Sequence, residues 1–167
     1  VQLLMAVLFA SWLLFLKPLS SRRAMVIQAG VSQFLSITAL FSLAHHVDVA
    51  VVVAIAGLVG YFCARHVLII FNDDDATLLS VVWALVIAEI AWLSYHWTIA
   101  YDILPPTLLL PQVSVTVGLL GFIAVKSYYA WQDDGVIAWH EMRAPVIFSV
   151  IITIILLAKE ITALFQY

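Results

Sequence analysis

Long apolar runs separated by short polar breaks repeat along the whole chain. Six such runs are read here: Val1–Leu16, about Ala24–Ala44, about Val49–Ala64 with an extension towards Phe71, about Ala76–Tyr101, about Thr107–Ala130, and Ala144 towards Phe165. Each except the first approaches or exceeds the roughly 20 residues that a helix needs to cross a bilayer. The breaks carry turn and cap chemistry. Lys17–Arg23 is a basic turn, and His45–Asp48 ends the second run. Asn72–Asp75 reads as a helix start, because Asn and Asp cap free amides and suit the positive helix end. Asp102–Pro106 breaks the fourth run through its two prolines. Between the fifth and sixth runs, Val136, Trp139 and Met142 recur every three residues. That spacing predicts a short helix lying at the membrane interface. The expected fold class is all-α: a polytopic transmembrane helical bundle of about six spans, with a short interfacial helix before the last, over a single domain 1–167.

Composition strengthens this reading. The chain is 65% hydrophobic and 10% charged, against about 25% charged in soluble domains. A soluble fold of 167 residues cannot hide that much apolar surface. One cysteine, Cys63, excludes an intrachain disulfide and CxxC-type metal sites. Val1 stands inside an apolar run without an initiator Met, so further residues are expected upstream. The basic turn after Leu16 suits a membrane anchor better than a cleaved leader. Cytoplasmic loops carry the excess Lys and Arg. Placing 17–23 inside puts six of the seven basic residues inside and leaves only Lys159 as an exception. The loops 45–48 and 102–106 are then expected on the outer side.

Three groups of polar residues carry candidate chemistry. The first lies within the membrane. Glu89 falls roughly 20 Å from the Ala76 end of its span at about 1.5 Å per residue, and Lys159 lies about 22 Å from Ala144 by the same rule. Gln33 and Ser36 are i, i+3 neighbours at about 14 and 18 Å. A buried cluster of Glu89, Lys159, Gln33 and Ser36 is therefore expected, with Glu89 facing protein and reaching Lys159 or Gln33. It reads either as a proton, ion or substrate site or as a tie between helices. A third reading has Lys159 snorkelling to the outer interface.

The second group is at the outer boundary, where His45, His46, His96 and Asp48 have the donor types for Zn²⁺, another transition metal or haem. The bland alternative is an interfacial belt with its Trp and Tyr. The third group is the inner carboxylates: Asp73, Asp74, Asp75, Asp133 and Asp134, with His140 and Glu141 nearby. They read as a Mg²⁺ site for phosphate chemistry or as solvated helix caps. Asn72–Asp75 resembles the opening of the Asp-rich motif of membrane prenyltransferases, but Ala76 stands where the next Asp belongs. Asp134–Gly135 resembles part of the CDP-alcohol phosphotransferase pattern, whose remaining residues do not follow. The sequence specifies no cofactor.

Small residues line the third run at Ala50, Ala54, Ala56, Gly57 and Gly60, and the fifth at Gly118 and Gly121. Such spacing lets helices approach closely. Three functions compete: a non-catalytic subunit or assembly partner of a membrane complex, a small transporter or substrate-binding transport component, and a lipid-handling membrane enzyme. Scarce catalytic residues and short loops favour the first. In size and span count alone, the chain resembles the vitamin-capturing components of energy-coupling transporters. The expected partners are the bilayer and other membrane subunits or further copies of the chain, with no role for nucleic acid.

Overall fold

The computed structural model describes residues 21–97, 99–104, 108–137 and 139–164, and for 102–104, 108–109, 133–134 and 159–164 it describes the backbone only. Five helices follow one another: α1 (Arg22–Leu43), α2 (Val49–Ile70), α3 (Ala76–His96), α4 (Gln112–Asp134) and α5 (Trp139–Leu164). A 3₁₀ turn, Ala44–His46, extends α1. A two-stranded hairpin, β1 (Ala100–Leu104) and β2 (Leu108–Pro111), stands between α3 and α4. All five helices are long and apolar enough to cross a membrane, at 20 to 25 residues each. At about 1.5 Å per residue they match a hydrocarbon core of about 30 Å. The chain is a membrane-embedded helical protein. The sixth expected span, Val1–Leu16, lies outside the described residues.

The chain forms two compact units, Val1–Ser114 and Val115–Tyr167. In the first, local signals set each helix end. Ser21 caps α1 by accepting from the Ala24 amide at 3.3 Å. Asp48 caps α2 by accepting from the Ala50 amide at 2.8 Å. The end of α2 corrects the reading of Asn72–Asp75 as wholly a helix start. Asn72 adopts φ +55° and closes the helix behind it: its amide donates to the Ile69 carbonyl at 3.0 Å, and the Asp73 amide to the Leu68 carbonyl at 3.3 Å. This double bond pattern needs a left-handed residue, and Asn accepts that conformation more readily than most. Asp73 then turns the chain, its carboxylate accepting from the Asp75 amide at 2.8 Å.

Close packing of α2 on α3 explains Ala56, Gly57 and Gly60, whereas Ala50 and Ala54 are exposed. Val52, Ala56 and Ile87 are fully buried. A Cβ on Gly57 would lie 3.4 Å from that of Ala88. A Cβ on Gly60 would lie 2.9 Å from Ile87 Cγ1 and 3.0 Å from its Cβ. Ile87 branches at Cβ and cannot swing away, so glycine is what permits this approach. On α1, Ala29, Gln33, Ile37 and Phe41 form the buried face.

The fourth helix in sequence reading overran its true end. Helix α3 stops at His96, and Ala100–Leu104 is a strand rather than a continuation. Pro105 disfavours helical geometry at Leu104 and biases it towards extended backbone. The strands pair antiparallel, Ala100 with Pro111, Tyr101 with Leu110 and Asp102 with Leu109, with an irregularity before the Leu104–Leu108 pair. Pro111 closes the second strand instead of entering a helix. The Gln112 amide donates back to the Ile99 carbonyl at 2.8 Å.

In the second unit, α4 and α5 run antiparallel. Phe122 meets Phe148 edge-on at 6.3 Å, and the Ser127 hydroxyl lies 3.5 Å from the Met142 sulfur. Gly135, at φ +69°, ends α4 by donating to the Trp131 carbonyl at 2.9 Å. The expected short interfacial helix is not separate among the described residues. Trp139 and Met142 already belong to α5, which runs on through Pro145. Val136 lies in the turn, Trp139 is exposed, and Met142 is buried. A spacing of three therefore did not mark the apolar face of one interfacial helix.

Candidate functional site

The antiparallel course of α1, α2 and α3 gathers the first unit's loops at two ends. At one end the Arg22 guanidinium lies 5.7 Å from the Phe71 ring, and Arg65 donates to Tyr61 Oη at 3.1 Å and Thr77 Oγ1 at 2.8 Å. The acidic run 73–75 is at this end. Asp73 serves as a turn cap, while Asp74 and Asp75 are exposed. The side chains of Asp133 and Asp134 lie outside the described residues. His140 and Glu141 pair at 3.8 Å.

At the opposite end the Tyr95 hydroxyl donates to the Val47 carbonyl at 3.0 Å. This fastens the end of α3 to the loop 45–48. The polar groups there have separate employment. Asp48 caps α2, His96 stacks edge-on against Trp92 at 5.1 Å, and His45 and His46 are exposed. Among the described residues no group of three or more His, Cys, Asp or Glu side chains is placed to hold a metal ion.

Between the two ends, buried polar side chains tie helices together. Gln33, 7% exposed, accepts from the Trp83 indole N–H at 3.1 Å, linking α1 to α3. Thr38 and Ser114 hydroxyls are hydrogen-bonded at 2.9 Å, linking α1 to the first turn of α4. Ser80, fully buried, donates to the Ala76 carbonyl within its own helix. Among the described residues Glu89 makes no bond to Gln33, whose side-chain oxygen accepts from Trp83. Trp83 is not among the polar groups singled out from the sequence. Its indole N–H was the missed signal, because a tryptophan withdrawn from water usually seeks an acceptor for that group.

Glu89 and Ser36 are both exposed, and Lys159 has its side chain outside the described residues. Glu89 occupies the outward side of α3 among large exposed apolar side chains, including Leu85 at 64% and Trp92 at 51%. It has no hydrogen bond or ion pair with any described residue. One carboxyl group in an apolar stripe is the chemical feature that the rest of the first unit leaves unused.

Comparison with known proteins finds no matching family, no similar curated protein and no similar solved structure.

Proposed function

We propose that this chain is a non-catalytic subunit or assembly partner of a larger membrane complex. The observation that carries this reading is Glu89, an ionisable group on the outward face of a membrane-spanning helix. Exposing a charge near the middle of a span to lipid costs ~2.5–3.5 kcal/mol on insertion scales, so such groups face protein or water. A carboxyl group keeps its hydrogen-bonding demand in either protonation state. Burial of α3 against another subunit meets that demand. The remaining polar groups support the same reading, because Gln33, Trp83, Thr38 and Ser114 spend their hydrogen bonds on holding helices together. In this reading the end bearing Arg22 and Arg65 faces the cytoplasm, following the basic-residue bias of membrane proteins. The His45–Asp48 loop and the hairpin then face the outer side.

Purification from native membranes in a mild detergent tests the proposal. A second polypeptide at fixed stoichiometry supports it. A monodisperse single chain that catalyses solute uptake when reconstituted into vesicles supports a transporter and overturns it.

A further inference from the structure

We propose that the outward stripe of α3 is the docking seam for one transmembrane helix of a different polypeptide, and that this helix presents a lysine or arginine to Glu89. The inference rests on the subunit reading and adds the face used and the chemistry of the partner.

Its first support is spacing. Leu78, Val82, Leu85, Glu89, Trp92 and His96 are all exposed on α3. Their separations alternate between four and three residues. That alternation is the seam along which a second helix packs at a shallow crossing angle, and it stays in register over the length of a span. The side chains are large, so they offer substantial contact area to a neighbouring helix.

The second support is charge. Glu89 is the only acidic residue of α3, it sits in the upper half of the seam, and no described residue satisfies it. Opposite charge is what completes such a site, and hydrogen bonds between charged groups are the strong ones. A second copy of this chain fits poorly. Two copies related by a two-fold axis along the membrane normal apply the same patch to itself. Glu89 would then meet Glu89 at equal depth, a pairing of two acidic groups that brings no cation to either.

The test places a photo-crosslinking amino acid at Leu85 in the full chain, within its native membrane, and sequences the crosslinked peptide. The expected product is an apolar helical segment of another polypeptide, with a lysine or arginine within about one turn of the crosslinked position. Glu89→Lys is expected to lose that partner, and replacing the partner's cation with glutamate is expected to restore it. Glu89→Gln, which keeps size and hydrogen bonding, is expected to retain the partner in part. Crosslinks to lipid only, to the same chain, to a second copy, or to a helix without a basic residue overturn the proposal. So does unchanged retention by a folded Glu89→Lys variant. If Glu89→Lys does not fold, the Leu85 crosslink decides alone. A stoichiometric partner that persists while Leu85 meets only lipid removes this seam but leaves the subunit reading standing. The lack of any partner removes both.

Discussion

The indole N–H of Trp83 donates to Gln33 Oε1 at 3.1 Å, joining α1 to α3 across the first unit. This bond engages the side-chain oxygen of Gln33, the one buried amide side chain of α1. Polar bonds between membrane helices average ~0.6 kcal/mol and reach ~1.7 kcal/mol. A double-mutant cycle of Gln33→Leu and Trp83→Phe, read by unfolding in SDS, is expected to give a coupling in that range. Additive effects of the two substitutions would show that the pair does not interact.

Gly60 sets how closely α2 approaches α3. Its missing Cβ would stand 2.9 Å from a branched, fully buried isoleucine. Gly60→Ala is expected to destabilise the protein by about 1–3 kcal/mol, the usual cost of overpacking. Shortening the opposing side chain in a Gly60→Ala, Ile87→Ala double variant relieves that clash. The double variant should therefore lose less stability than the two single losses summed. Gly30, with open space at its Cβ position, serves as the comparison, and Gly30→Ala is expected to be neutral or mildly stabilising because alanine favours helix. Equal losses at Gly30 and Gly60 in unfolding measurements would contradict the packing argument.

Threading follows from the two loop ends of the first unit. In a Cys63→Ala background, a cysteine at Val47 is expected to react with a membrane-impermeant thiol reagent added outside intact cells. A cysteine at Asp74 is expected to react only after the membrane is opened. The reverse pattern would invert the orientation inferred from the basic residues.

Much of this architecture was legible because hydrophobic length and caps are local properties. The runs beginning near Ala24, Val49, Ala76 and Ala144 became α1, α2, α3 and α5, and Ala56, Gly57 and Gly60 of the third run do permit close packing. What failed depended on local competition or on rotation. The apolar run after His96 hid a strand, because apolar residues serve either state and Pro105 acts only on its neighbours. Val136, Trp139 and Met142 looked like one face, but Val136 stands in the turn after the left-handed Gly135, whereas Trp139 and Met142 belong to α5. The site was harder still. Depth placed Glu89 and Gln33 within reach of each other along the membrane normal. It carried no information on which way each helix was turned about its own axis, and that rotation gave Gln33 to Trp83 and turned Glu89 outward.

If Glu89 marks a face completed by another subunit, native mass spectrometry of the protein extracted from its own membrane detects that subunit. The expected species exceeds the mass of the chain itself by one distinct polypeptide in fixed ratio, and loses that polypeptide in a folded Glu89→Lys variant. A wild-type mass equal to the chain alone, carrying only lipid, would contradict that reading.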